Sequence, residues 1–284
     1  MSVRHHRPSG SRPRGGKLTN TLAVLFCLVW IFPVYWMLNT AFKPRSEAMT
    51  PTPHFWPHTP TLRNFDVAIN QTGFVSNLVN SLIVVAAAVV LAVLLGMFAA
   101  AALTRFRFRG RRTIMVSVLI VQMLPVTALL IPTFLIFNEI GLLGTYAGLV
   151  FAYVATVLPF SIWVMRGFFI TIPVEVEEAA RIDGASTWQV LTRVLFPLVA
   201  PGVIASSIFA FITAWNDYLI AYTFMKAQDQ YTLPVWLASF STPTGTDFGG
   251  QMAGSVIFSL PVVVFFLIIQ RKLVTGMSAG AVKG

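Results

Sequence analysis

Charge is scarce in this chain. Charged residues fill 11% of its 284 positions and hydrophobic residues 56%, against about 25% and 45–50% in soluble domains. That imbalance removes the soluble globular class and points to a membrane protein. Cysteine is nearly missing. The single Cys27 lies in an apolar run, which leaves no disulfide framework and no thiolate metal site. His54 and His58 are four apart with Pro57 between them, so they do not share a helix face and no metal site is expected. A nucleotide site is missing too. The nearest approach to a phosphate loop, Gly10 to Lys17, is one residue too long and has Leu18 where magnesium needs a hydroxyl. Gly276-Met277-Ser278-Ala279-Gly280 spells a serine-hydrolase elbow, but that motif needs a strand–turn–helix and here follows an apolar run. No catalytic residue is expected, and the chain does not read as an enzyme.

What is present is a set of apolar runs. Six stretches are long enough to cross a bilayer, near 18–40, 79–103, 113–137, 143–165, 199–223 and 251–270. Pro33, Pro125, Pro132, Pro159, Pro201 and Pro261 fall inside them, and neighbouring helices can absorb such interruptions in a membrane. Gly96, the only glycine in the second run, suits close helix contact. The first run is longer than a signal peptide's core and no small-residue cleavage site follows it, so it reads as a permanent helix. The expectation is an all-α, six-helix, multi-pass protein of the cell (plasma or inner) membrane. It comprises a basic tail over 1–17, a transmembrane domain over 18–270 and a tail over 271–284.

Lysine and arginine set the orientation. With the N-terminus cytoplasmic, the inner segments hold Arg4, Arg7, Arg12, Arg14 and Lys17, then Arg105, Arg107, Arg109, Arg111 and Arg112. They also hold Arg166, Arg181 and Arg193, then Arg271, Lys272 and Lys283. The outer segments keep only Lys43, Arg45, Arg63 and Lys226. Sixteen against four puts both termini in the cytoplasm. It also accounts for the net charge of +10 without a nucleic-acid partner. The Arg105–Arg112 run reads as a topology anchor, with lipid phosphate contact a second use.

One polar island interrupts the apolar pattern, over 173–197. Pro173 suits a helix start, and Glu175, Glu177 and Glu178 follow where carboxylates favour the dipole. Gly184 can end that helix. Ser186 and Gln189 are spaced as a capping box, and Trp188, Leu191 and Leu195 follow at helical spacing. Two short helices with a glycine turn are expected. An amphipathic loop resting on head groups is one reading. The other is a protein dock, which four acids (Glu175, Glu177, Glu178, Asp183) against two arginines (Arg181, Arg193) support.

Glu178-Ala179-Ala180, three residues, Gly184, nine residues and Val194-Leu195-Phe196-Pro197 resemble the cytoplasmic loop signature of ABC importer permeases. Val194 and Phe196 stand where that family usually has isoleucine and leucine, and only Phe196 is a real departure. Trp215-Asn216-Asp217, Leu260-Pro261-Val262, Gln270 to Val274 and Gly276 to Gly284 resemble the maltose-type, binding-protein-dependent carbohydrate branch, and the likeness runs from the first span onward. The resemblance implies the ABC importer permease fold with a cytoplasmic coupling helix. Glu178, Ala179, Ala180, Asp183, Gly184 and Pro197 would form the contact with an ATPase. It implies a second permease subunit in a heterodimer, a dimer of cytoplasmic ATP-binding subunits that holds ATP and magnesium, and an extracytoplasmic solute-binding protein. No cofactor is implied for this chain. The solute would be a carbohydrate, an oligosaccharide, with a glycerol phosphoester or other polar solute as the alternative. Gly276, Gly280 and Lys283 would reach the ATPase, or else form a flexible end. A secondary transporter would need several intramembrane ionisable groups or a repeat, and the chain offers one such acid and no repeat.

That acid is Asp217. With Trp215, Asn216 and Tyr218 it suits a sugar path, since rings stack on C–H faces and amides or carboxylates take hydroxyls. The alternative is that Asn216 and Asp217 bond to neighbouring helices. Gln122 in the third run is a further path candidate.

Overall fold

A computed structural model describes residues 17–243 and 245–280, with side chains from 18 to 270 except 244. The chain is mostly helical, as a bilayer demands, because only helices and closed barrels satisfy every backbone group in hydrocarbon. In order come α1 (Lys17–Ala41), α2 (Arg45–Ala48), α3 (Arg63–Asn70), α4 (Phe74–Arg105), α5 (Arg111–Met123), α6 (Val126–Glu139) and α7 (Tyr146–Thr171). Then come α8 (Val174–Ile182), α9 (Thr187–Gln189), a π-helical turn (Val190–Leu195), α10 (Phe196–Leu198), α11 (Ala200–Trp215) and α12 (Leu219–Phe224). A 3₁₀ turn (Gln228–Gln230), α13 (Leu233–Ala238), the two-residue strands β1 (Ser241–Thr242) and β2 (Gly245–Thr246), and α14 (Phe248–Gly280) complete it. The strands pair antiparallel, Ser241 opposite Thr246.

The core lies between α4, α7 and α11. In α4 the residues at every fourth position, Ala88, Ala92, Gly96 and Ala100, are all buried. Such spacing lines one helix face with small residues, and α7 packs on it. A Cβ on Gly96 would stand 3.1 Å from the Ser161 Cβ. At about 1.5 Å per residue α4 is roughly 48 Å long, more than the roughly 30 Å hydrocarbon core.

One end of the bundle is closed by polar ties. The Asn64 side-chain amide donates to the carbonyls of Ala41 (2.9 Å) and Lys43 (2.7 Å). Asn80 donates to Asp229 (2.7 Å) and Tyr231 (3.1 Å), and accepts from the Tyr146 hydroxyl at 2.9 Å.

Four helices among the described residues are long and apolar enough to span a membrane, or six if each of two bent pairs is one crossing. The run 113–137 is therefore not one straight span. α5 and α6 meet at 106°, because Leu124, placed before Pro125, takes an extended ψ of 134° that proline imposes on its predecessor. The run 199–223 also departs from expectation. α11 ends at Trp215 and α12 begins at Leu219, and the segment Thr187–Leu198 meets α11 at 69°. The last helix does not stop near 270 but continues to Gly280, so the first part of the 271–284 tail is helical. Residues 1–16 and Lys283 lie outside the described residues.

Candidate functional site: the polar segment 173–197 and the broken helices

Pro173 caps α8 with an extended backbone. The helix ends in a Schellman turn. Ala185 N–H bonds to Ala180 O and Gly184 N–H to Arg181 O, each at 3.0 Å, with Gly184 at φ +86°. That left-handed conformation is open to glycine without a Cβ penalty. The chain then reverses into the capping box. Ser186 N–H donates to Gln189 Oε1 at 2.8 Å, and Gln189 N–H to Ser186 Oγ at 3.3 Å. The π-helical turn follows, with Val190 and Leu195 buried against Ala100, Met165 and Phe169.

One ion pair fastens this segment. The Arg105 Nε at the end of α4 meets Glu177 Oε1, and Arg105 Nη2 donates to Ile172 O at 2.9 Å. Local sequence gives no signal for this pair, because Arg105 is only the first of five arginines. With Glu177 turned inward, Glu178, Ala179, Asp183 and Gly184 are exposed and Ala180 is half-buried. Pro197 is exposed at the exit. Two large apolar side chains stand out on this surface, Ile182 at 86% and Trp188 at 62% exposure. Trp188 stacks on Phe98 of α4 with centroids 6.0 Å apart. Leu195 is buried and Leu191 half-buried, so these three residues do not form one uniform apolar face. The π turn changes their register.

The remaining sequence candidates fall around the helix breaks. Trp215 is 1% exposed, stacks on Phe211 and Phe258, and donates from Nε1 to Phe258 O at 3.2 Å. Asn216 is exposed and donates to Ile212 O at 2.7 Å. Asp217 accepts from the backbone N–H groups of Ile220 and Ala221, both at 3.1 Å, and so restarts the helix at α12. Tyr218 heads a row of rings with Tyr222 and Tyr231. Gln122 lines a cavity of about 380 Å³ among α5, α6, α7, α11 and α12. Thr156, Thr213 and Ile220 belong both to that cavity and to a small recess of about 20 Å³ holding Tyr153 and Asp217. Gln122 and Asp217 thus line two neighbouring recesses that share Thr156, Thr213 and Ile220 as walls, an arrangement that sequence spacing alone does not show.

Gly276 and Gly280 lie on the helical backbone of α14, so the strand–turn–helix of a serine elbow is not formed there. The His54 and His58 rings meet edge to face at 4.6 Å. Among the described residues no group of three histidine, cysteine or acidic side chains is placed to hold a metal.

Residues 92–279 match the family described as binding-protein-dependent transport system inner membrane component. The diacetylchitobiose uptake system permease protein DasC of Streptomyces coelicolor is 39% identical over 265 residues, 93% of this chain and 96% of that protein. The trehalose transport system permease protein SugB of Mycobacterium tuberculosis is 36% identical over 267 residues, 93% and 96% of the two chains. A solved bacterial ABC transporter involved in import of the acidic polysaccharide alginate has a chain of the same fold. Its TM-score is 0.79, with 23% identity over 90% of this chain and 95% of that one. This chain belongs to the family of binding-protein-dependent transport system inner membrane components.

Proposed function

We propose that this chain is one of two permease subunits of an ATP-driven importer of a carbohydrate, an oligosaccharide. The observation that carries the reading is the segment 173–197: a helix–turn–helix tied to α4 by Arg105–Glu177, with Glu178, Asp183 and Ile182 turned outward. Such an element can pass a push from a docked protein to α4 through the Arg105 contacts. Its acids favour a protein partner over anionic head groups. The partner is a cytoplasmic ATPase dimer, which binds ATP and magnesium. When the ATPase closes, the segment moves and the permease pair changes the side to which it opens. Both termini and the segment are cytoplasmic, with six crossings. A solute-binding protein delivers from the other side.

Half of the path is the pair of recesses lined by Gln122 and by Asp217, with Trp215, Asn216 and Tyr218 beside Asp217 as further contributors. A contact of the C-terminal tail with the ATPase would involve Gly276, Gly280 and Lys283. The large cavity offers an amide and the hydroxyls of Thr133, Thr156 and Thr213 but no cation, which suits a neutral sugar better than a glycerol phosphoester. The test is uptake by Gly184→Asp and Glu178→Lys variants at matched membrane levels. Loss of uptake in both is expected, and normal transport in both would end the coupling role. Growth of a deletion strain across a sugar panel identifies the solute.

A further inference from the structure

The five arginines between 105 and 112 do not share one task. Arg105 is committed to Glu177 and Ile172 O. Arg111 and Arg112 open α5 and join Arg166, in the last two turns of α7, around a pocket of about 390 Å³. Phe108, Gly110 and Met115 complete its walls. Arg111 and Met115 are one helical turn apart and both half-buried, so they sit on the same face of α5. The Arg166 Nε is shielded from solvent and has no hydrogen-bond partner. Its guanidinium lies 5.9 Å from the Trp163 ring. The ion pairs among the described residues are His58–Glu47 and Arg105–Glu177. Neither neutralises Arg111, Arg112 or Arg166.

Three unneutralised guanidinium groups around one pocket repel each other, and one of them carries a buried donor that nothing satisfies. Both costs fall if a multivalent oxyanion enters, because guanidinium forks match phosphate geometry. The surroundings indicate what carries that phosphate. Beside these guanidinium groups the exposed side chains are apolar, Phe108 in the pocket wall and Ile114 three residues after Arg111 on α5, so a ligand with a charged head and an apolar body has a place for each. We propose that this pocket binds the phosphate of an anionic phospholipid headgroup, with its acyl chain leaving past Phe108 and Ile114. The lipid pins the start of α5 to the end of α7, close to where α7 passes into α8 and the coupling segment. This site does not depend on which solute is carried.

The test is native mass spectrometry of the full-length chain, released from micelles doped with equal phosphatidylglycerol and phosphatidylcholine. One phosphatidylglycerol is expected to remain bound in preference to phosphatidylcholine. R111Q/R166Q should weaken it about 30-fold, two cations near a lipid surface being removed. R107Q/R109Q, which lowers net charge equally at two exposed positions, should stay within about twofold of the parent. R111K/R166K keeps the charge but loses the fork, so it should retain selectivity with weaker binding, and it covers the case of a glutamine variant that fails to fold. Equal retention of both lipids overturns the site. So does an equal loss in R107Q/R109Q. Displacement by excess inorganic phosphate overturns the lipid assignment in favour of an aqueous anion.

Discussion

Replacing Glu177 by glutamine leaves the Arg105 guanidinium with the Ile172 carbonyl but without a counter-charge. The two side chains are only 13% and 9% exposed, so the pair behaves more like a buried ion pair than a surface one. Breaking a buried pair from one side costs about 3–5 kcal/mol, and this residual exposure argues for the lower end, about 3 kcal/mol. The pair joins α4 to α8, and Pro173, Val174, Glu175 and Val176 at the start of α8 are all exposed. The cost should therefore appear as local opening of the segment. About 3 kcal/mol is a rise of roughly 150-fold in the open population. Hydrogen exchange of the backbone amides between Val176 and Leu195 reads that population directly. Protection should fall by roughly that factor there, while amides of α4 near Ala88 stay unchanged. A double variant, Arg105→Met with Glu177→Leu, removes both charges and should regain most of the protection, since apolar replacement of a buried pair is often neutral. The reasoning fails if Glu177→Gln changes protection less than about threefold. It also fails if the single-variant effects simply add, with a coupling below about 0.5 kcal/mol.

Three further outcomes follow from named contacts. Gly184 has φ +86° and open space where a Cβ would stand. Gly184→Ala should therefore cost about 1–2 kcal/mol in thermal unfolding through backbone conformation alone, and Gly184→Asn clearly less; equal losses would refute the left-handed turn as the reason for glycine. The Glu47 carboxyl is held below its ordinary value near 4.5, chiefly by the His58 N–H and also by Thr59. Its stabilisation of the loop between α2 and α3 is present above the ordinary value and is lost as pH falls through the depressed one. Fluorescence of the exposed Trp56 should report that acid transition, and an unaltered transition in Glu47→Ala would exclude Glu47 as its cause. At Gly202 a Cβ would lie 2.6 Å from the Phe168 ring. Gly202→Val should therefore destabilise the α7–α11 contact by about 1–3 kcal/mol and be partly rescued by Phe168→Leu in a melting assay; a melting point equal to the parent's would show that the ring moves aside freely.

The long helices were readable because α1 and α4 carry uninterrupted apolar runs, and hydrophobic length is a direct signal in a bilayer. The breaks were not. Pro33, Pro132, Pro159 and Pro261 all sit inside helices, and Pro201 starts one, whereas Pro125 ends a helix and turns the chain through 106°. All six lie in apolar surroundings. What separates them is whether neighbouring helices can satisfy the freed carbonyls, and that is decided by tertiary packing. The boundary at Asn216–Tyr218 has the same origin: Asp217 looks like a lone intramembrane acid in the sequence, but two backbone donors of α12 take up its carboxylate.

The segment 173–197 shows the same division more sharply. Its caps and turn are local and were legible: Pro173, Gly184, Ser186 and Gln189 each act within a few residues of themselves. Its attachment is not local, since Arg105 reaches a carbonyl 67 residues away. Counting arginines gives a side of the membrane and cannot distinguish Arg105 in an ion pair from Arg107 in solvent or Arg111 in a pocket. The count nevertheless helps interpretation. With sixteen basic residues in the segments that the sequence reading places inside and four in those it places outside, removing one arginine leaves that bias intact. A transport defect in an Arg105 variant that still reaches the membrane would therefore report the pair with Glu177 rather than a chain inserted the wrong way round. Separating these two effects needs only the parallel Arg107 variant, which carries the same charge loss without the pair.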